Sequence, residues 1–258
     1  MKPSFKSKSF EFLKHNGPIP FAHRGGTTEY PENTLPAFEN AVSLGYTYLE
    51  TDVHATIDGE VIAFHDDSLD RLTNNDEKIS QLTSREVSEV KIQEKFSIPK
   101  FIELLETFPK AKINIDPKTD SVVEPLIKIL SATNSVERVC IGSFSDKRIQ
   151  RIRQALGPRL CTSAGPSSVA KFLADRWGLF TKRPRYQCLQ VPEHSGPVKI
   201  INKNFINRAH KGDLQVHVWT IDDSSKMHEL LDLGVDGIMT DQPLILKNVL
   251  IERGLWNN

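Results

Sequence analysis

The chain has 258 residues with 33 basic and 33 acidic side chains, so its formal net charge is zero at neutral pH. Balanced charge excludes the broad positive field of nucleic-acid binding proteins, and no segment approaches the ~20 apolar residues of a membrane-spanning helix. Three widely spaced cysteines do not suit a disulfide framework, so we interpret Cys140, Cys161 and Cys188 as buried free thiols. Met1 to Gly17 lacks the apolar core of a secretion signal, and we therefore expect a cytoplasmic protein without a nucleic-acid partner or stable membrane insertion.

The first predicted strand is apolar and runs from Ile19 to Ala22. It delivers His23 to the start of a loop rather than to the middle of an element. After the loop, Asn33 and Thr34 are suited to cap a helix, whose apolar residues recur at helical spacing before the chain turns at Gly45.

The second predicted strand, Tyr46 to Ala55, carries two carboxylates on one face, because side chains in a strand alternate between faces. Glu50 and Asp52 would repel each other in a buried strand unless a cation lies between them. Oxygen ligands favour Mg²⁺ or Ca²⁺ over zinc, and we therefore predict a divalent-metal site here. A salt bridge to Lys or Arg from a neighbouring strand is the alternative.

A hairpin signal at Asp58-Gly59 follows, and an extended run from Val61 to Asp66 brings a second histidine, His65, to its end. Two histidines and a metal-binding carboxylate pair suit a reaction that needs a general base, a general acid and charge neutralisation. Phosphodiester cleavage is such a reaction, and Arg24 would share the anionic charge of its phosphate.

The remaining chain alternates between extended and helical patterns after a polar surface excursion, Ser68 to Lys95, with one short helix near Thr83 to Glu89. Eight strand-and-helix units predict a closed (β/α)₈ TIM barrel, in which the excursion is a short insertion after the second strand. A doubly wound sheet is the alternative, but no glycine-rich dinucleotide turn follows the first strand. We expect one domain over residues 1–258 with its core at about 19–250.

The later predicted elements are assigned by the same patterns. The predicted strands are Ala111 to Lys118, Val139 to Phe144, Leu160 to Ala164, Tyr186 to Pro192, Gln215 to Ile221 and Gly237 to Thr240. The predicted helices are Phe101 to Phe108, Val122 to Ala132, Asp146 to Leu156, Pro166 to Leu179, Asn204 to His210, Ser224 to Leu233 and Leu244 to Arg253. In the strand before Lys118, that lysine, Asp116 and Asn114 share one face.

An ordered set of short motifs covers Ile19 to Leu250. The motifs are His23-Arg24-Gly25, Pro31-Glu32-Asn33-Thr34, Ala37-Phe38, Glu50-Thr51-Asp52-Val53, Thr56, Asp58-Gly59, His65-Asp66, Arg71, Asp116-Pro117-Lys118, Trp219-Thr220 and Gly234 through Pro243. Together they resemble the signatures of the glycerophosphodiester phosphodiesterase family. The resemblance implies a barrel enzyme that uses Mg²⁺ or Ca²⁺ to hydrolyse small-molecule glycerophosphodiesters, such as glycerophosphocholine or glycerophosphoethanolamine, to sn-glycerol 3-phosphate and an alcohol.

The resemblance also implies site roles by position. It assigns acid–base catalysis to His23 and His65, phosphate contact to Arg24, phosphate or metal contact to Lys118, an aromatic wall against the glycerol to Trp219, and metal binding to Glu50, Asp52 and Asp116. Asp116 departs from the glutamate that the family commonly has there, and its side chain is one methylene shorter.

Structural alternatives remain for several polar residues. For Asp116 and Lys118 the alternative to a site role is pairing with other barrel residues, and Asp241 is expected to cap or anchor the final loop. A basic run on the fifth predicted helix is interpreted as a solvated face; it comprises Lys147, Arg148, Arg151 and Arg153. We interpret five further histidines as structural: His54, His194, His210, His217 and His228.

Two other functions remain open. A lysophospholipase D or sphingomyelinase-D-like enzyme would need an exposed apolar rim, which Trp177, Leu179 and Phe180 suggest. A catalytically silent barrel that binds phosphate esters is disfavoured, because both histidines and both acidic residues of the second strand are present.

Overall fold

The computed structural model describes residues 10–175 and 184–256. Its strands are β1 (Ile19–Ala22), β2 (Tyr48–Ala55), β3 (Val61–Ala63), β4 (Lys91–Ile92), β5 (Phe96–Ser97), β6 (Lys112–Pro117), β7 (Val139–Ile141), β8 (Cys161–Thr162), β9 (Cys188–Pro192), β10 (His194–Ser195), β11 (Val198–Lys199), β12 (Gln215–Trp219) and β13 (Gly237–Thr240). Its α-helices are α1 (Leu35–Ser43), α2 (Ser84–Glu89), α3 (Phe101–Thr107), α4 (Val123–Ala132), α5 (Asp146–Leu156), α6 (Pro166–Ala174), α7 (Lys203–Lys211), α8 (Ser224–Leu233) and α9 (Pro243–Glu252).

Eight parallel strands form a nearly closed barrel in the order β8-β7-β6-β2-β1-β13-β12-β9. A parallel bridge between Ser163 and Cys188 joins the two ends of this order. Helices connect successive barrel strands, and the predicted (β/α)₈ fold is confirmed. In the described ranges, no helix is both long and apolar enough to cross a bilayer.

The predicted insertion after the second strand is observed as a small packed unit. Strand β3 pairs antiparallel with β2, and helix α2 begins after Thr83, whose side chain caps it. The unit has its own apolar cluster, which includes Ile62, Phe64 and Ile79. It therefore lies beside the carboxyl-terminal residues of β2, beyond the part of β2 that pairs with β1, and carries His65 at its start.

Helix α1 is capped by Thr34 alone. The Thr34 hydroxyl accepts from the Ala37 amide, whereas Asn33 has a positive φ of 57° and its side chain is turned into the barrel. The prediction that Asn33 caps this helix is therefore wrong, because its amide is bound to Asp52 instead at 3.2 Å.

The predicted helix from Pro166 to Leu179 is shorter than expected. It ends at Ala174, since Asp175 takes a non-helical ψ of 76°, and residues 176–183 lie outside the described residues.

The apolar layer between strands and outer helices consists of two clusters. One draws its buried residues from positions 22–160 and the other from positions 164–250, and Trp256 packs against both. A third cluster fills the barrel at the amino ends of the strands, where Phe12 and Leu13 pack against Phe21 and Tyr48. The Tyr48 hydroxyl donates to the Phe12 carbonyl at 2.6 Å, which fixes this segment under the barrel.

We expect Asp146→Ala to destabilise the protein by about 1–2 kcal/mol, because its carboxylate accepts from the Ser167 and Ser168 amides at the start of α6. Burial raises the pKa of Asp146, but hydrogen bonds, chiefly from the Ser168 hydroxyl, outweigh it and leave the pKa below 3.8. The stabilisation should therefore be present above the unfolded-state pKa and be lost as pH falls through the lower folded-state pKa. Urea unfolding at several pH values tests this; an equal loss at low and neutral pH would contradict it. Glu137→Ala, which removes only an exposed ion pair, is the control.

Candidate active site

All eight residues assigned a site role from the sequence line one pocket of about 580 Å³. The residues are His23, Arg24, Glu50, Asp52, His65, Asp116, Lys118 and Trp219. They come from the ends of β1, β2, β6 and β12 and from the segment after β3, so the pocket lies at the carboxyl end of the barrel, where the active sites of this fold occur.

His23 is held from both sides. It follows Ala22, which pairs in register with Thr240, so His23 stands beside Asp241 and its Nδ1 lies 2.7 Å from the Asp241 carboxylate. Its Nε2 lies 3.8 Å from Glu50. Burial lowers the pKa of His23, but the charges of Glu50 and Asp241 outweigh this and raise it. The close approach of α1 to this turn requires Gly25, since a Cβ there would lie 2.9 Å from Ala37.

Asp241 is therefore a site residue that the sequence analysis missed. We expected Asp241 to cap or anchor the final loop, because the sequence does not show that closure of the barrel places β13 beside β1. Closure places the end of the last strand next to the end of the first, and a carboxylate at one end meets a histidine at the other.

We expect Asp241→Asn to lower kcat by about 10²-fold or more with little change in KM, because the carboxylate fixes the tautomer and orientation of His23. Steady-state kinetics on a glycerophosphodiester measures this. Asp67→Asn is the control, since Asp67 is exposed and only approaches His54 at 3.9 Å. An Asp241→Asn enzyme with unchanged kcat would show that Asp241 does not position His23.

His65 is the second histidine, and its Nδ1 lies 2.6 Å from Asp66. Asp66 accepts from Arg71, which also donates to Glu32 at 2.6 Å. Glu32 in turn accepts from Arg24 at 3.0 Å. A continuous chain of charged hydrogen bonds thus links His65 to Arg24. In the part of the chain that the structure describes, no hydrogen bond to the other ring nitrogen of His65, Nε2, is seen.

The carboxylates of β2 and β6 meet because Asp52 and Asp116 are in register. The Lys118 ammonium lies between them, 2.8 Å from Asp52 and 2.9 Å from Asp116. The other oxygen of Asp52 lies 3.0 Å from Arg24 Nε. The salt-bridge alternatives considered for Asp52, Asp116 and Lys118 are thus present in the structure.

The charge balance of this acidic group is uneven. Burial, together with the charge of Asp52, raises the pKa of Glu50 to about 7. Burial also raises the pKa of Asp116, and its Oδ1 is buried without a hydrogen-bond partner. Burial acts on Asp52 in the same direction, but Lys118 and Arg24 outweigh it and lower the pKa. Among the described residues, Asp52 is therefore the best compensated carboxylate of the group, whereas Glu50 is paired only with His23 at 3.8 Å and with the Arg24 amide at 3.1 Å, and one oxygen of Asp116 has no donor.

These observations fit a hard divalent cation. The donors are carboxylate oxygens, one of them buried and unpaired, and a cation would relieve the repulsion that raises the pKa of Glu50. The three carboxylates do not form a tight group. Among the described residues, the three potential metal ligands whose ligand atoms all lie within 4.8 Å of one another are cysteines, not these carboxylates. Lys118 accounts for the spread, because it separates Asp52 from Asp116.

Besides Asp241, three further polar residues of the site were not assigned a site role from the sequence. Asn33 donates to Asp52 and accepts from Thr51 at 2.7 Å, which fixes the carboxylate. Gln190 donates to Asn114 at 2.8 Å, and both line the pocket floor. Asn114 could have been found from the sequence, because it shares a strand face with Asp116. Gln190 could not, because it lies on a strand more than 70 positions away.

Opposite the charged groups, the pocket wall is apolar. Trp219 packs edge-on against Phe144 with ring centroids 5.8 Å apart, and Phe144 and Val198 are more than half exposed at the rim. Further apolar lining residues are Ala164, Pro166, Val169, Ala170, Leu173, Val191, Pro192, Ile200 and Met239. Trp177, Leu179 and Phe180, expected to form an apolar rim, lie outside the described residues.

The basic run of α5 is only partly the solvated face that was expected. Lys147 and Arg151 are exposed, but Arg148 donates to the Pro117 carbonyl at 2.8 Å and Arg153 donates to Thr162 at 3.1 Å. These two arginines bind the ends of neighbouring elements, which helical spacing alone does not reveal.

Comparison with known proteins agrees with this geometry. The model of the glycerophosphoryl diester phosphodiesterase family matches residues 23–245. The probable glycerophosphodiester phosphodiesterase 2 of Mycobacterium tuberculosis is 37% identical, covering 96% of each chain. A lysophospholipase D of Rattus norvegicus is 26% identical, covering 89% of this chain and 85% of that protein.

Among solved structures, an Oleispira antarctica phosphodiesterase in complex with its product sn-glycerol-3-phosphate superposes with a TM-score of 0.76. It is 22% identical, covering 91% of this chain and 97% of the other, and supports the fold. The family match extends over most of the chain, and the mycobacterial relative is similar along nearly its full length. The chain therefore belongs to the glycerophosphoryl diester phosphodiesterase family and is a phosphoric diester hydrolase.

Proposed function

We propose that the protein hydrolyses glycerophosphodiesters such as glycerophosphocholine and glycerophosphoethanolamine to sn-glycerol 3-phosphate and an alcohol. The observation that carries this proposal is the pair of histidines in one pocket, each with Nδ1 held by a carboxylate. Each keeps Nε2 for proton transfer, and the cationic groups of Arg24 and Lys118 line the same pocket.

We propose that the two histidines work as an acid–base pair. One removes the proton from the glycerol 2-hydroxyl, whose oxygen attacks phosphorus, while the other donates a proton to the departing alcohol. The resulting cyclic phosphate is opened by water with the roles exchanged, which restores both protonation states. Each proton transfer contributes roughly 10²- to 10⁴-fold, and the tethered hydroxyl adds the entropic advantage of an intramolecular nucleophile.

Glu50, Asp52 and Asp116 would hold one Mg²⁺ or Ca²⁺. When bound, this ion polarises the phosphoryl oxygen and lowers the pKa of the attacking hydroxyl. Arg24 is kept in place by Glu32 and Asp52 and is directed at the phosphate as a planar donor. Lys118 supplies a second positive charge to the phosphate, and Trp219 forms the wall for the glycerol.

Removing divalent cations should abolish turnover of glycerophosphocholine, and Mg²⁺ or Ca²⁺ should restore it. Release of glycerol 3-phosphate is measured with purified protein, with EDTA, and after each ion is returned in excess. Unchanged activity in EDTA would contradict the metal assignment. Absence of release from glycerophosphocholine, glycerophosphoethanolamine and glycerophosphoinositol under all conditions would contradict the proposed substrates and favour a silent barrel or a lipid substrate.

A lysophospholipase D activity is the second candidate, and the apolar wall of the pocket favours it. A free glycerophosphodiester offers nothing apolar to this surface, whereas the acyl chain of a lysophospholipid would bury its exposed residues, such as Phe144 and Val198. The rat relative, similar over most of its length, is named for this activity.

A comparison of kcat/KM for lysophosphatidylcholine and glycerophosphocholine distinguishes the two candidate activities. If the wall binds an acyl chain, Val198→Asp should lower kcat/KM for the lysophospholipid alone. An equal effect on both substrates, or preference of the unaltered enzyme for glycerophosphocholine, would contradict the second candidate.

A further inference from the structure

Three cysteines and a histidine meet inside the barrel below the pocket. Cys140 on β7, Cys161 on β8, Cys188 on β9 and His217 on β12 come from four strands that are neighbours around the closed barrel. Cys140 pairs in register with Cys161, and Cys188 pairs with Gln215, two residues before His217. None of the four side chains is more than 1% exposed.

The sulfur atoms converge. All three Sγ atoms lie within 4.8 Å of one another, and those of Cys140 and Cys188 are 3.9 Å apart. Tetrahedral zinc with Zn–S bonds of ~2.3 Å separates its sulfur ligands by about 3.8 Å, so this spacing is close to that of a metal-thiolate site. His217 is on the next strand. Its Nε2 lies 3.0 Å from Gln215 Oε1 and its Nδ1 lies 3.4 Å from Gln190 Nε2, so a Zn–N bond would replace one of these two contacts.

The protonation of the cluster is also unusual for a packed core. Burial raises the pKa of Cys140 and of Cys161. Burial acts on Cys188 in the same direction, but hydrogen bonds from the other two thiols and from His217 outweigh it and hold its pKa well below the usual range. Arg153, bound to Thr162, contributes positive charge that acts on Cys161.

We propose that Cys140, Cys161, Cys188 and His217 form a structural site for one Zn²⁺ ion, separate from the catalytic cation. Binding forms three Zn–S bonds and one Zn–N bond, and every thiol proton that the three cysteines still carry is released to solvent. The imidazole stays neutral, so the bound group has a net charge of −1. Three cysteines and one histidine are a ligand set of closed structural zinc sites.

The site is closed on both sides, which determines when the ion could bind. Phe12 and Leu13 close the barrel from below, and from above Gln190 contacts Asn114 and, at 3.4 Å, His217 Nδ1. We therefore expect the ion to be bound during folding and to exchange slowly afterwards. Packed thiols without an ion are the alternative, and they would show no dependence of folding on zinc.

The test uses the full chain, unfolded under reducing conditions and refolded with one equivalent of Zn²⁺, with one equivalent of Co²⁺, or with chelator. We expect one ion per chain retained through EDTA treatment that strips the catalytic cation, and a Tm several degrees higher than that of the chelator sample. Cobalt should give thiolate-to-metal charge-transfer absorption, which the carboxylates of the pocket cannot produce.

Cys161→Ala should abolish the charge-transfer band, and Asp116→Asn, in the pocket, should leave it unchanged. If Cys161→Ala does not fold, His217→Gln should shift the cobalt ligand-field bands, because a nitrogen ligand is replaced. The proposal is overturned if the unaltered chain refolds to the same Tm with zinc and with chelator and shows no cobalt–thiolate band, or if two of the cysteines are found as a disulfide.

Discussion

Replacing either His23 or His65 with alanine is expected to lower kcat by about 10²- to 10⁴-fold while leaving the fold intact, because each removes one partner of the proposed proton transfers. Both side chains stand at strand ends facing the pocket, and neither contributes to the apolar clusters. The measurement is single-substrate kinetics with glycerophosphocholine, with circular dichroism and Tm recorded on the same preparations.

A matched control exists at the other end of the barrel. His210 forms a histidine–carboxylate pair with Asp236 at 2.8 Å, much like that of His23 with Asp241, but neither residue lines the pocket. His210→Ala should therefore lower Tm and leave kcat unchanged. A His65→Ala enzyme with a near-normal rate would refute the acid–base assignment.

The second large effect is expected from Asp52→Asn, which should reduce both stability and activity. Asp52 is 2% exposed and neutralises Lys118 and Arg24 at once. Removing the charge from a buried ion-pair network leaves the cations poorly compensated, and we expect a loss of about 3 kcal/mol in the free energy of unfolding. Activity should fall by more than about 10²-fold, since the carboxylate is also a proposed metal ligand and holds Arg24, the arginine proposed to bind the phosphate.

Urea unfolding and metal-dependence of the rate separate the two effects. If Asp52 binds the metal, excess Mg²⁺ or Ca²⁺ should partly restore the rate without restoring stability measured in EDTA. Asp120→Asn is the control, because Asp120 also pairs with an arginine, Arg148, but is 77% exposed. Unchanged stability and metal dependence in Asp52→Asn would show that the ion pairs do not hold the site together.

The fold and most of the site could be predicted because their signals are local. Apolar periodicity gave the alternation of strands and helices, and His23, Glu50, Asp52 and His65 lie in motifs within 43 positions of sequence. The position of the pocket could therefore be predicted from one rule, that the carboxyl ends of the barrel strands lie together at one end of the barrel.

Residues that were missed act across the barrel. Asp241 reaches His23 only because β13 pairs with β1, and Gln190 reaches Asn114 only across the barrel interior. Asn33 has the composition of a helix cap, but its left-handed backbone turns the side chain toward Asp52. The convergence of three dispersed cysteines depends on strand register, which no local pattern encodes.

The two apolar clusters of the outer layer divide the chain into a first half, residues 22–160, and a second half, residues 164–250, and the two halves contribute different parts of the pocket. The first half supplies the two proposed acid–base histidines, Arg24, Lys118 and the three carboxylates proposed to bind a metal. The second half supplies almost all of the apolar wall. Exchanging residues 143–220, which include Trp219, with those of a relative should therefore change the preference between a lysophospholipid and a free glycerophosphodiester, while the charged residues stay in place. Asp241 lies beyond this segment and would remain with its histidine, so a chimeric enzyme of this kind is a practical route to new substrate selectivity.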